Sequence, residues 1–251
     1  MNLHLTKIGN EKNPPIVFLH GLFGQGDDFL YFAKQLSDKY YSILVDLPGH
    51  GQSDILEEST FPKLCQLVLE SLPATNQKAL LIGYSLGGRI ALYLMTHYPQ
   101  YFNKAAIISA NPGLESEREF RLQKDLSLLD NILSPQDFFI RWYTNPLFGH
   151  LVKHENFSLL LEKRKNANLD NIKKCLNSFS VGTQPPMWNM LEKNALPIFY
   201  FSGKEDEKYR KIGQRLSRYR HIHLIEFENA GHYLHFEYPT IFNKHLHSIL
   251  K

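Results

Sequence analysis

The sequence predicts an α/β protein, with a mostly parallel sheet flanked by helices and a helical cap insertion. Short apolar runs alternate with amphipathic stretches in the first and last parts of the chain, which is typical of strands joined by crossover helices. The middle of the chain has helical periodicity and no convincing strand pattern. We therefore expect a single domain of residues 1–251, with a core of residues 1–113 and 195–251 and a cap insertion at about 114–194.

Apolar runs of strand length, bounded by turn residues, define the predicted sheet. The predicted strands are residues 16–19, 41–46, 79–82, 105–109, 197–202 and 223–227. Stretches with helical spacing lie between and around them. The predicted helices are residues 28–36, 61–71, 85–97, 115–129, 135–143, 156–165, 169–178, 210–219 and 239–250.

Composition excludes several classes of protein. Of the 251 residues, 43% are hydrophobic and 21% are charged, as in ordinary globular domains. A net charge of +3 is too small to favour binding to nucleic acid or to a membrane surface. No stretch reaches the roughly 18 apolar residues of a membrane span, and residues 1–10 do not resemble a signal peptide. We expect a cytoplasmic protein and a monomer.

Cysteines and histidines give no indication of a metal site. Cys65 and Cys175 lie in no paired-cysteine motif, so we expect two buried thiols and no disulfide. Two histidine pairs have spacings that could suggest metal ligands, but neither has an acidic or cysteine partner in a known pattern. These pairs are His221 with His223 and His245 with His247. We predict that they are surface residues, and that the protein uses no metal and no cofactor.

Residues 83–87 match the pattern G-x-S-x-G, with Ser85 at its centre. A predicted strand precedes the motif and a predicted helix follows it, which is the context of a nucleophile elbow. The glycines suit a sharp turn in which two chain segments pass close together. The alternative is a glycine-rich turn with an exposed serine, but the flanking elements favour a reactive Ser85.

The loop at residues 18–24 follows an early strand, where a backbone N–H can point at a developing oxyanion. We predict that Leu22 supplies one such N–H and that Leu86, at the start of the next helix, supplies the other. His20, in the same loop, is interpreted as a structural residue.

An acid and a base should follow the serine in the order serine, acid, histidine. Asp206 and His232 both follow predicted strands, at the edge where parallel sheets place their sites. His232 would accept the serine proton, and Asp206 would fix the histidine tautomer. Glu205 and Glu207 are the alternatives for the acid.

These motifs together resemble the α/β-hydrolase fold over essentially the whole chain. The resemblance is carried by residues 20–21, 46–51, 83–87 and 231–232. It implies the fold and the catalytic machinery, but not the substrate, because esterases, dehalogenases, peroxidases and lyases share them.

A narrower resemblance comes from segments that recur in a fixed order, mostly inside the insertion. They are residues 83–89, 109–114, 117–125, 142–148 and 182–188. Together they resemble the 2-succinyl-6-hydroxy-2,4-cyclohexadiene-1-carboxylate synthases, lyases of menaquinone biosynthesis. The resemblance implies elimination of pyruvate from a small polycarboxylate, with Ser85 acting as a general base. It also implies that Tyr84 is an active-site tyrosine that hydrogen-bonds substrate.

Arginines near the predicted site suit such a substrate, because the guanidinium binds carboxylate through a planar fork. Arg89 lies one helical turn after Ser85, so it can face the site. The arginines expected from the insertion are Arg118, Arg121 and Arg164. They could instead be solvated or pair with Glu115, Glu117 and Glu119. Trp142 could stack on the substrate ring or anchor the cap.

Two other functions remain open at this stage. A carboxylesterase or thioesterase of the same fold would use Ser85 as a nucleophile and form an acyl-enzyme. A binding protein built on a hydrolase scaffold would normally lose a member of the triad, and this sequence retains all three.

Overall fold

The computed structural model describes residues 3–55, 60–149 and 151–250. In these residues seven strands form one sheet in the order β1-β3-β2-β4-β5-β6-β7. β1 pairs antiparallel with β3, and every other neighbouring pair is parallel. The strands are β1 Leu5–Ile8, β2 Pro15–Leu19, β3 Tyr41–Val45, β4 Ala79–Tyr84, β5 Phe102–Ile108, β6 Ile198–Gly203 and β7 Ile222–Phe227.

The central strands read as continuous apolar runs because helices cover both faces of the sheet. Every residue of β2, β3 and β4 is buried. β1 was not predicted. Two of its four residues are polar, and all four stay half-buried or exposed at the sheet edge, so the apolar signal is weak. The predicted fold class, a mostly parallel sheet flanked by helices, is confirmed.

Helices connect the strands along the chain. They are α1 Leu30–Leu36, α2 Phe61–Ser71, α3 Leu86–His97, α4 Arg118–Leu126, α5 Pro135–Tyr143, α6 Phe157–Arg164, α7 Leu169–Phe179, α8 Trp188–Lys193, α9 Glu207–Leu216, α10 Leu234–Glu237 and α11 Pro239–Ile249. The short helices α8 and α10 were not predicted. α9 begins earlier than predicted because the Asp206 side chain accepts the Tyr209 N–H and caps the helix.

Between β5 and β6 the described residues form α4 to α8 and no strand. We call residues 114–194 the cap. Aromatic side chains hold it against the core loop after β2. The Phe23 ring meets Phe138 edge-on at 5.1 Å and Trp142 at 5.0 Å, measured between ring centroids.

A buried ion pair also joins the cap to the core. Arg164 Nη2 of α6 lies 2.6 Å from Asp28 Oδ2, and the two side chains are 4% and 6% exposed. Burial alone would raise the pKa of Asp28, but Arg164, with Lys163, holds it below its usual value. The stabilisation is therefore present above the ordinary carboxyl pKa and is lost as the pH falls through the folded-state pKa of Asp28.

Breaking this pair from one side should destabilise the protein strongly. Asp28→Asn leaves a buried, uncompensated guanidinium, so the free energy of unfolding should fall by roughly 3–5 kcal/mol in urea denaturation at neutral pH. The double variant Asp28→Asn/Arg164→Met removes both charges and should recover most of the loss. A single variant within about 1 kcal/mol of wild type would contradict this role for the pair.

Candidate active site

The turn between β4 and α3 places Ser85 above the edge of the sheet. Ser85 has a φ of 48°, a left-handed conformation that is rare for a residue with a side chain. Its N–H donates to the Ile108 carbonyl at 2.9 Å, which ties the turn to β5. A Cβ at Gly87 would collide with the Leu19 carbonyl. Glycine is therefore required at this position, and the sharp turn exposes the serine hydroxyl.

His232 connects Ser85 to Asp206. Its Nε2 lies 3.2 Å from Ser85 Oγ, and its Nδ1 lies 2.7 Å from Asp206 Oδ2. The histidine and the aspartate are 1% and 3% exposed. Because a carboxylate only accepts, Nδ1–H donates to Asp206, which leaves Nε2 free to accept the Ser85 hydroxyl proton.

The alternative acids point elsewhere. Glu207 is exposed, and its Oε1 lies 2.6 Å from Lys211 Nζ. Glu205 is exposed too, and its backbone N–H donates to the Ala230 carbonyl. Asp206 is the carboxylate that contacts His232 in the described structure.

Two backbone amides border the space beside Ser85. Leu86 is the first residue of α3, so its N–H has no intrahelical acceptor. The Leu22 N–H has no acceptor among the described residues, and both residues line the cleft. His20 is structural: its Nε2 accepts the Leu47 N–H at 3.0 Å, and burial lowers its pKa to about 4.

The cleft is narrow and lies between the core and the cap, with a cavity of about 60 Å³. The triad members Ser85 and His232 lie on its walls. The other predicted site residues that line it are Leu22, Tyr84, Leu86, Arg89, Arg121, Trp142 and Arg164. The structure thus gathers residues from three core loops and four cap helices around the serine hydroxyl.

The sequence of the chain is similar to those of known proteins. Residues 14–239 match the family model of the α/β-hydrolase fold. The chain is 31% identical to the 2-succinyl-6-hydroxy-2,4-cyclohexadiene-1-carboxylate synthase of an Enterobacter species, over 98% of this chain and 95% of that protein. It is 34% identical to the synthase of the same name from Yersinia pestis, over 91% of this chain and 84% of that protein.

The chain belongs to the 2-succinyl-6-hydroxy-2,4-cyclohexadiene-1-carboxylate synthase family of α/β hydrolases. The family resemblance inferred from the sequence is thereby confirmed. The solved structure of MenH from S. aureus superposes with a TM-score of 0.90, covering 99% of this chain and 97% of that one. At 24% identity, this likeness supports the fold.

Arg89 is a buried cation on the wall of the cleft. It is 5% exposed, and its guanidinium lies 5.4 Å above the Phe61 ring. Nη2 donates to the Phe179 carbonyl of the cap, and Nε has no partner among the described residues. Burial lowers the pKa of Arg89 to about 10, so it stays charged at neutral pH. No described carboxylate forms an ion pair with it, which leaves a cation available to an anionic ligand.

The cap arginines differ in their availability. Arg121 Nε lies 2.8 Å from Asp125 Oδ1, while the other oxygen of Asp125 accepts the Ser180 hydroxyl. The pair engages only the Nε of Arg121, and the side chain is 26% exposed. Arg164 lines the cleft, but its charge is balanced by Asp28. This pairing differs from the expectation of a cation free to bind substrate.

Arg118 was predicted to bind substrate, and the structure places it outside the cleft. α4 begins at Arg118, and the Gly182 backbone packs against this first turn. The exposed Arg118 side chain lies along that backbone, and its Nε donates to the Gly182 carbonyl at 3.1 Å. Glu115, an expected partner for cap arginines, instead forms a two-bond pair with Arg215 of α9.

Aromatic residues form much of the remaining wall. Tyr84 stacks on Tyr233 with ring centroids 4.7 Å apart. Trp142 both lines the cleft and packs on Phe23, so anchoring the cap and facing a ligand are compatible roles. Wall residues that carried no sequence signal of their own are Tyr143, Phe148, Phe179, Val181, Tyr209 and Tyr233.

No group of three or more His, Cys, Asp or Glu side chains within residues 3–55, 60–149 and 151–250 could hold a metal ion. No helix in the described part of the chain combines the length and apolar character that a membrane crossing requires.

The geometry predicts that Ser85 reactivity depends on Asp206 and not on its neighbours. Labelling of Ser85 by a fluorophosphonate reagent should slow by on the order of 10³–10⁴-fold in Asp206→Asn, because the histidine loses its fixed tautomer. Glu207→Gln is the matched control and should label at the wild-type rate. Equal slowing in the two variants, with unchanged melting temperatures, would refute the assignment of the acid.

Proposed function

We propose that this enzyme eliminates pyruvate from 2-succinyl-5-enolpyruvyl-6-hydroxy-3-cyclohexene-1-carboxylate to give 2-succinyl-6-hydroxy-2,4-cyclohexadiene-1-carboxylate in menaquinone biosynthesis. The observation that carries the proposal is Arg89, a buried cation without a carboxylate partner in the described structure, lining the cleft beside Ser85. A polycarboxylate would supply the missing partner. The names of the curated relatives agree with this substrate class.

The triad would act as a base in this reaction. His232 Nε2 takes the proton of the Ser85 hydroxyl, and Ser85 Oγ takes a proton from a ring carbon next to the succinyl carbonyl. Asp206 accepts from His232 Nδ1–H and stabilises the imidazolium that forms. The carbon–oxygen bond to the enolpyruvyl group then breaks. The bonding electrons leave with the oxygen, so the leaving group is the enolate of pyruvate, which takes up one proton on its methylene carbon to give pyruvate.

The oxyanion donors would make the ring proton of the substrate easier to remove. When the ring proton leaves, negative charge moves onto the carbonyl oxygen of the substrate. The N–H groups of Leu22 and Leu86 border the cleft and would hold this oxygen. Because the cleft is narrow and lies between the core and the cap, a bound substrate would leave little room for water to compete for those donors.

The three arginines that line the cleft would have different roles in substrate binding. Arg89 would hold one substrate carboxylate from below the cap, and Arg121 a second from α4. Arg164 would act mainly by fixing the cap through Asp28. Tyr84 would hydrogen-bond substrate, and Trp142 would cover its ring. No step requires a metal or an organic cofactor.

One assay tests the proposal. Purified protein and the enolpyruvyl substrate should release pyruvate, and Ser85→Ala should reduce the rate by on the order of 10³-fold or more. A wild-type enzyme that consumes the substrate without releasing pyruvate would overturn the proposal. Near-native turnover by Ser85→Ala would remove the role of the triad.

The effect of replacing Arg89 should distinguish this enzyme from an esterase that acts on neutral substrates. Arg89→Ala should weaken transition-state binding by roughly 2–4 kcal/mol, or about 30- to 1,000-fold in kcat/KM for pyruvate release. Arg89→Lys should restore only part of this loss in kcat/KM, because an ammonium group cannot form the planar two-bond contact that a guanidinium makes with a carboxylate. Hydrolysis of a small neutral ester should change little in either variant.

Arg118→Ala is the matched control for this measurement, because Arg118 is an arginine of the cap outside the cleft. It should retain wild-type kcat/KM for pyruvate release. Equal losses on the polycarboxylate and on the neutral ester in Arg89→Ala would make Arg89 a structural residue.

The second candidate is a carboxylesterase or thioesterase. The elbow and the two amides beside Ser85 favour it as well, since both suit a tetrahedral intermediate. In that reaction Ser85 Oγ bonds to the acyl carbon, and an acyl-enzyme accumulates when deacylation is slow. A thioester panel, scored by intact mass for an adduct on Ser85, distinguishes this activity from the lyase.

A further inference from the structure

The structure assigns to His50 the role of a positioning residue for the oxyanion site, exerted through the backbone of Phe23. This inference deepens the proposed function and rests on it in one respect, the use of the Leu22 N–H as an oxyanion donor. His50 lies outside the catalytic cleft and touches none of the reacting groups described above.

His50 uses both ring nitrogens on backbone groups. Its Nε2 accepts the Phe23 N–H at 2.9 Å, and its Nδ1–H donates to the Pro48 carbonyl at 2.9 Å. The residue is 6% exposed, and its ring lies 5.0 Å from that of His20. This pattern requires one neutral tautomer, with the proton on Nδ1.

Phe23 is the residue whose backbone needs such a partner. It has a φ of 65°, a left-handed conformation that costs energy for a residue with a side chain. The turn is tight, because the Gly24 N–H donates to the Gly21 carbonyl at 2.9 Å. Without His50, the buried Phe23 N–H would lose its acceptor, and an unpaired buried amide is unfavourable. The adjoining peptide carries the Leu22 N–H, so a shift at Phe23 moves this donor.

The turn that carries His50 is fixed independently of the ligand. Asp46 Oδ1 accepts the Gly26 N–H at 2.7 Å, and its Oδ2 accepts the Gln52 N–H at 2.9 Å. One carboxylate therefore joins the loop after β2 to the turn after β3. The Ser53 hydroxyl donates to the Asp46 carbonyl at 2.6 Å and closes the turn. His50 thus presents Nε2 from a rigid support.

An acid–base role for His50 does not fit its surroundings. Burial, followed by the neighbouring His20, lowers the pKa of His50 to about 3, so the ring is neutral at physiological pH. Its Nε2 lone pair already accepts the Phe23 N–H, so this nitrogen is not free to take up a proton. His50 therefore acts through geometry alone.

A matched pair of amides tests this role. In His50→Gln the side-chain oxygen reaches the former Nε2 position and can accept the Phe23 N–H. In His50→Asn the side chain is one methylene shorter and cannot. Because loss of an oxyanion donor costs about 10²–10³-fold in kcat, displacement of one should cost about 10- to 100-fold in His50→Asn, with KM within about twofold. His50→Gln should recover most of kcat.

A second readout does not use the lyase substrate. Phenylboronic acid forms a tetrahedral adduct on Ser85, and one of its oxygens should occupy the oxyanion site. Its affinity should fall in His50→Asn by a factor similar to the loss of kcat and return in His50→Gln. Failure of wild type to release pyruvate would overturn the proposed function but would leave this comparison valid.

Control variants distinguish a positioning role of His50 from an effect of its replacement on folding. His97→Leu removes a ring whose Nδ1 donates to the Tyr93 carbonyl, away from the site, and should bind the boronic acid like wild type. If His50→Asn is unfolded in a melting scan, His50→Leu fills the space without an acceptor and takes its place. Equal kcat and equal boronic acid affinity in the acceptor and non-acceptor variants would overturn the assignment, as would a loss confined to KM.

Discussion

The strained turn at Ser85 is the constraint on which the rest of the site depends. The turn combines a left-handed Ser85 with glycine at position 87, where the Leu19 carbonyl leaves no room for a side chain. This contact presses the start of α3 against the end of β2. The Leu86 N–H, the loop after β2 and Arg89 one turn further on are thereby brought to the same side of the sheet. The parallel sheet then carries Asp206 and His232 to that edge.

Two buried arginines near this turn, Arg164 and Arg89, differ in whether a carboxylate balances their charge. Asp28 balances Arg164, and the pair holds the cap to the core across 136 residues of sequence. Arg89 has no such partner among the described residues and relies on a carbonyl and an aromatic face. A buried cation without a carboxylate is costly unless a ligand provides one. Under the function proposed above, this unbalanced charge would provide binding energy for an anionic substrate.

The sequence allowed those parts of the fold to be predicted in which local chemistry determines structure. Buried parallel strands read as apolar runs, and the motif around Ser85 specifies its turn because only glycine fits there. The predicted residues Asp206 and His232 lie in hydrogen-bonding contact for a related reason, since both follow strands of the same sheet. β1, α8 and α10 were missed because elements of four to six residues are too short to show clear periodicity.

The cap could not be predicted in the same detail. Which arginine of α4 faces the cleft depends on where the helix begins and on the Gly182 backbone packed against it, and neither can be read from the sequence. The partner of Arg164 is a core aspartate with no motif to mark it. The part played by His50 depends on a hydrogen bond to a residue 27 positions earlier in the chain, which no local pattern reveals.

We propose that Ser85 removes a proton from the substrate and forms no covalent bond to it. The most direct test uses substrate deuterated at the ring carbon that loses its hydrogen, while the intact mass of the enzyme is followed during turnover. Pyruvate should form more slowly from the deuterated substrate, and the mass of the enzyme should not change. An unchanged rate together with an adduct on Ser85 would contradict it.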